Sequence, residues 1–280
     1  AIFFWSTVPT VFKISLGELD ILPMLAIATG TSACVLLAVI IFERKTPLLF
    51  SNSPVQLLHS ALLGLVNPFV YYILLLNGYK LLPAQIAQPL NQIWPIILVF
   101  LSVPILGQKI KSRSFAALFI SFIGVYVISS QGHLFSPGHS NLNGVLFATG
   151  SSVFWALYFI LNVKDKRDES VKLFLNFLFG YLYIIAALLI TRKWQISGLA
   201  VKGILAAAYV GVFEMGITFL FWLRALQMAE TTDKVSNLVY LAPFLSLVFV
   251  HFILHEPVYY TTPVGLILII SGIYVQNRKT

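Results

Sequence analysis

One long apolar stretch occurs twice in this sequence. PIILVFLSVPILGQ from Pro95 aligns with PFLSLVFVHFILHE from Pro243, and FIGVYV around Gly124 aligns with IISGIYV around Gly272, both at an offset of 148 residues. Phe4-Trp5-Ser6 matches Phe154-Trp155-Ala156 at 150, while Leu90, Gln108 and Tyr126 fall on Leu238, Glu256 and Tyr274 at 148. Duplication at that length constrains the chain to two similar halves, a plan typical of membrane carriers. The predicted organisation is 1–131 as the first repeat, 132–142 as an outer linker with turn-forming Gly, Pro and Asn, and 143–280 as the second repeat.

Lipid is the expected solvent. With 59% apolar residues, 10% charged, a mean hydropathy of +0.90 and 23 Phe in 280 residues, the apolar surface exceeds what one water-soluble core hides. Ten helical spans are predicted, roughly 1–16, 21–42, 56–79, 83–104, 114–131, 143–163, 173–191, 203–225, 234–254 and 261–277. The runs are continuous rather than alternating, which excludes a strand-built barrel. The start at Ala1, with neither Met nor a basic leader, reads as a first helix lacking its opening turns rather than a signal peptide.

An inward-facing amino terminus places 13 of the 18 Lys and Arg residues on the cytoplasmic side and leaves Lys13, Lys80, Arg192, Lys193 and Lys202 outside. Both termini are then cytoplasmic. Five spans per half is an odd number, so the second half is expected upside down relative to the first. The net charge of +8 is accounted for by basic loops beside anionic headgroups, with no nucleic acid partner. The single cysteine, Cys34, excludes an intramolecular disulfide.

The Phe-Trp-Ser opening, the Pro-initiated stretch ending Leu-Gly-Gln-Lys, the Gly-Val-Tyr-Val segment and their second-half partners Phe-Trp-Ala, Pro243 and His-Glu-Pro resemble the drug/metabolite transporter superfamily. The resemblance is to its ten-helix exporters with two EamA-type repeats. It implies an inner-membrane carrier of small metabolites, often amino acids, working by alternating access, with a cavity lined by spans 1, 3, 4, 6, 8 and 9. One departure is Gln108, where the family's first half usually carries an acid; the second-half equivalent, Glu256, is retained.

Depth along each span isolates a short list of mid-membrane polar groups: Asn67, Asn91, Gln92 and Trp94, Ser151, Ser152 and Trp155, Glu214, and Tyr240. An ionisable group there costs about 3 kcal/mol to insert, so it faces a cavity or a partner. Glu214 is the leading candidate for coupling, by binding a proton, or for pairing with a substrate ammonium; a neutral Glu bonded to a neighbouring helix is the plainer alternative. Its counterpart at the 148 offset is Val66, next to Asn67.

Gln85, Gln88 and Gln92 form an amide stripe at helical spacing with Asn91 beside it, expected to face a cavity or to bond between helices. Trp5, Trp94 and Trp155, with Tyr158 one turn away, are either a stacking wall for an aromatic or cationic substrate or core packing. Tyr71, Tyr72, Tyr79, Trp194, Tyr259 and Tyr260 read as packing or interface anchors. Pro68, Pro95 and Pro243 lie inside spans as candidate hinges, the symmetric pair Pro95 and Pro243 foremost, with a bend without motion as the alternative.

No GxxxxGK[ST] loop, HExxH or GxSxG occurs, so neither ATP hydrolysis nor an intramembrane hydrolase is indicated, and no cofactor is expected. His251 and His255, with Glu256 adjacent, read as an interfacial cluster rather than a metal site. No Lys or Arg lies at mid-depth, which disfavours phosphorylated substrates. The sequence thus predicts an all-α secondary carrier for a small, zwitterionic or cationic substrate, with protons as a candidate second partner; a passive pore or facilitator, or a membrane-embedded enzyme, stands as the alternative.

Overall fold

The structure is a computed structural model describing residues 1–107, 112–133, 140–192, 200–228 and 241–277. Those residues are helical with short connections and contain no strand. Six helical runs are long and apolar enough to cross a membrane: Ile21–Phe42, Pro54–Leu81, Ala84–Ile105, Leu142–Asn162, Glu169–Thr191 and Val201–Trp222. Ile2–Leu16, Phe115–Ser129, Leu241–Leu254 and Thr261–Val275 are apolar but shorter. Large apolar side chains stay on the surface, among them Phe42 at 87% and Ile190 at 81% exposure, as in a protein solvated by lipid.

The helices are α1 (Ile2–Leu16), α2 (Ile21–Phe42), α3 (Thr46–Phe50), α4 (Pro54–Gly64), α5 (Tyr71–Leu81), α6 (Ala84–Asn91), α7 (Trp94–Leu106), α8 (Ser112–Ser129), α9 (Leu142–Lys164), α10 (Glu169–Thr191), α11 (Val201–Tyr209), α12 (Ile217–Met228), α13 (Leu241–Leu254) and α14 (Thr261–Asn277). Local chemistry sets their ends. Ser53 and Gln56 form a capping box with Pro54 at the first turn of α4, and Asp168 accepts from the Ser170 and Val171 amides to start α10. Two π-helical turns interrupt otherwise α-helical runs: Leu65–Val70 joins α4 to α5, and Val210–Gly216 joins α11 to α12. Pro68 in the first has no N–H to donate, and Asn67 leaves the helix at φ −148, ψ 122.

The chain divides into two compact units: Ala1–Ile73 with Lys164–Ser246, and Leu74–Val163 with Leu247–Thr280. Each draws on both halves of the sequence. In the first, α2 packs against α10, and each also packs on the π turn of the opposite half. A Cβ on Gly64 would strike the Asn176 carbonyl oxygen, and one on Gly211 that of Ala28. Asn176 and Ala28 are 148 residues apart and Gly211 and Gly64 147, so the two contacts correspond to within one residue of the repeat.

In the second unit, α8 packs along α14, the helix at its 148 offset. A Cβ on Gly124 would lie 2.7 Å from the Gly265 carbonyl oxygen, and on Gly272 2.7 Å from that of Ala117. Only glycine permits backbones so close. The repeat also reaches the backbone. Arg44 and Arg192 share a left-handed conformation (φ 56 and 51), as do Gly107 and His255 (φ 67 and 55), each pair 148 residues apart.

Candidate functional site

In the first unit, Glu214 sits on the second π turn, 8% exposed. Its Oε1 accepts a hydrogen bond of 3.1 Å from the Tyr72 hydroxyl, and its Oε2 is buried with no hydrogen-bond partner among the described residues. Tyr72 is fully buried and held edge-on by Phe12 (ring centroids 6.3 Å) and Tyr71 (4.7 Å). Beside the carboxyl-bearing turn, Phe213 stacks on Phe4 at 4.6 Å, and Tyr209 shares a 2.8 Å hydrogen bond with Thr7. Among the described residues no ion pair to Glu214 is formed, and a charge in an apolar interior is costly.

Asn67, in the other π turn, is fully buried, and neither its Oδ1 nor its Nδ2 finds a partner among the described residues. Trp5 meets Trp222 edge-on at 5.1 Å.

The second unit holds the predicted site residues of the fourth and sixth spans. The amide stripe is not one continuous helix: α6 ends at Asn91, Gln92 caps it, and α7 restarts at Trp94. Pro95 therefore occupies the first turn of α7, where a missing N–H breaks no helical bond, and the interruption precedes it. Pro243 is the third residue of α13.

Gln85 is bonded between helices: its amide donates to the Pro257 carbonyl and its Oε1 accepts from the Tyr259 amide (3.0 Å) and the Thr262 hydroxyl (3.3 Å). Glu256 caps the same helix start, accepting from the Ala84 amide at 3.1 Å. Asn91 donates to Ser151 Oγ at 2.8 Å, Gln88 is half-buried, and Gln92 Oε1 is buried without a partner among the described residues. Trp94 meets Trp155 edge-to-face at 6.5 Å and 82° and approaches Phe159 at 5.5 Å; Trp155 leans on Tyr158 at 6.3 Å. Ser152 is buried and returns its hydroxyl to the Thr149 carbonyl of its own helix. The structure thus joins Asn91 to Ser151 and groups Trp94, Trp155 and Tyr158. Tyr240, Trp194 and Gln108 lie outside the described residues.

Two features escape sequence reasoning. Tyr72, read as packing, is the hydrogen-bond donor to Glu214. The second is an ionic network at one end of the first unit. Lys45 pairs with Glu43 (2.8 Å) and Asp168 (2.7 Å), Arg224 also pairs with Glu43, and Arg167 clamps Asp165 (2.5 Å) while donating to Asn52 and Ser60. Lys45 and Arg224 hold the Glu43 carboxyl below its ordinary range. Burial pushes Asp168 up, but Lys45 and the helix-start donors outweigh it and leave it lowered; Asp165 is likewise lowered by Arg167. Burial opposes the Lys45 charge, and the two carboxylates overcome this and raise it. Opposite charges near one bend, Glu43 to Lys45, and at the next helix start, Asp165 to Asp168, are the available sequence signal.

An all-helical, multi-pass membrane protein with paired apolar repeats is defined by these features. The sequence profile of the EamA-like transporter family matches residues 1–130 and again 142–278. The chain belongs to that family, within the drug/metabolite transporter superfamily. It is similar to Uncharacterized transporter YvbV of Bacillus subtilis, 26% identical over 78% of this chain and 70% of that protein. An uncharacterized transporter of Clostridium kluyveri is 28% identical over 62% of this chain, which spans 58% of that relative's length. YyaM of B. subtilis, also named an uncharacterized transporter, is 23% identical over 89% and 81% of the two chains. A solved crystal structure, 19% identical, shares the fold at a TM-score of 0.67 over 99% of this chain and 93% of the other. The family and these relatives are transporters rather than enzymes.

Proposed function

We propose that the chain is a secondary carrier that exports amino acids or related zwitterionic or cationic metabolites by alternating access. It is built of ten spans in two oppositely inserted repeats, with both termini cytoplasmic in the inner (plasma) membrane. The duplicated family match and the backbone features recurring at 148 residues support the repeat. Family membership supports transport.

The observation that carries the mechanism is Glu214: a carboxyl with one oxygen held by Tyr72 and the other without a hydrogen-bond partner among the described residues. Such a group exchanges a proton or receives a substrate ammonium as the site opens and closes. Asn67, in the same unit, supplies a donor and an acceptor; within the second unit, taken by itself, Trp94 and Trp155 are the aromatic faces that suit a cation or ring.

Purified protein in liposomes should show saturable counterflow of amino acids, which an open pore does not support. Glu214→Gln should abolish the pH dependence of uptake. Retention of the wild-type pH profile by that variant would exclude Glu214 as the coupling group, and linear, non-saturating flux would favour the passive facilitator.

A further inference from the structure

We propose that Tyr72 is the positioning residue of Glu214, a role that rests on the reading of Glu214 as the coupling carboxyl. The 148 offset supplies the reason. The counterpart of Glu214 is Val66, next to the buried amide of Asn67, and that of Tyr72 is Leu220, so of the two equivalent places only the one at Glu214 pairs a carboxyl with a hydroxyl. At that place a hydroxyl from the run of the first half reaches, at 3.1 Å, a carboxyl from the corresponding run of the second. Packing alone would be served equally by Phe at 72, because the contacts to Phe12 and Tyr71 involve the ring and not the hydroxyl. The phenol is fully buried between aromatic rings, so it fixes where Oε1 lies and leaves Oε2 at a position without a hydrogen-bond partner among the described residues.

The other titratable groups are few on the elements packed around this turn. Tyr71 lies within electrostatic range of Glu214. Lys13 is on α1, Cys34 on α2, and Lys202 and Tyr209 on α11, with Tyr209 bonded to Thr7; Arg224 on α12 is engaged by Glu43.

Tyr72→Phe deletes only the hydroxyl and leaves the ring contacts in place. It should retain pH-dependent uptake but displace the midpoint by about one pH unit, the scale of one hydrogen bond to a charged group. Thermal unfolding of Tyr72→Phe, Glu214→Ala and the double variant closes a cycle that is independent of transport, and the two effects should be non-additive. A Tyr72→Phe midpoint identical to wild type, or an additive cycle, overturns the assignment. If Glu214→Gln keeps the wild-type pH profile, coupling through Glu214 fails, whereas the thermal cycle still decides whether Tyr72 holds that carboxyl.

Discussion

Asn67 presents an amide whose donor and acceptor are both buried without a partner among the described residues. Such groups cost about 1–3 kcal/mol apiece in the folded state, so they persist where function uses them. Asn67→Leu is therefore expected to match or exceed wild type in thermal stability while losing at least about tenfold in uptake. A large drop in melting temperature would show instead that the amide holds the fold together. Glu214 is legible in the sequence because an acid in an apolar run is expensive whatever surrounds it. Tyr72 is not legible, being one of 12 tyrosines and 142 residues from its partner. Gln85 shows the same limit: its spacing is plain, but the acceptor and donors that satisfy it lie at Pro257, Tyr259 and Thr262, brought alongside only by the fold.

Helices α8 and α14 are held backbone to backbone by Gly124 and Gly272, with no room for a methyl group against the facing carbonyls. Gly124→Leu and Gly272→Leu should each destabilise the protein by about 1–3 kcal/mol, read as a lower melting temperature in detergent. Equal stability in either would mean that the helix pair tolerates separation. At the other unit's end, Asp168 both starts α10 and pairs with Lys45, so Asp168→Ala should cost more than Asp168→Asn, which keeps the capping oxygen. The apolar runs are legible because their length alone decides the solvent. The two π turns are less so: Asn67-Pro68 advertises one, while Val210–Gly216 contains no proline and depends on packing against α2.

Across the whole molecule, the ionic network ties together segments from both halves of the sequence, and its stabilisation depends on pH. Glu43, Asp165 and Asp168 titrate below their ordinary values of 4.5, 3.8 and 3.8, so their contribution is complete above those values and is lost as acid protonates them in the folded state. Lys45 titrates above its ordinary 10.5, so its contribution is complete below that value and is lost as base removes its proton. Thermal stability should therefore form a plateau between these limits and fall on both sides, and Lys45→Ala should lower the plateau and remove the alkaline limb due to Lys45. An unaltered profile in Lys45→Ala would assign the alkaline loss to other groups. This network is half legible: the charges are visible in the sequence, but the choice of Lys45 and Arg224 as the partners of Glu43 depends on how α2, α10 and α12 are arranged.

The sole thiol, Cys34, is exposed on the apolar helix α2. It offers a native labelling handle that requires no engineered replacement of other cysteines. Maleimides add to thiolates, which form only where water reaches the sulfur, so fast labelling by a membrane-permeant maleimide would show that this flank of the helix touches water and slow labelling that it touches hydrocarbon.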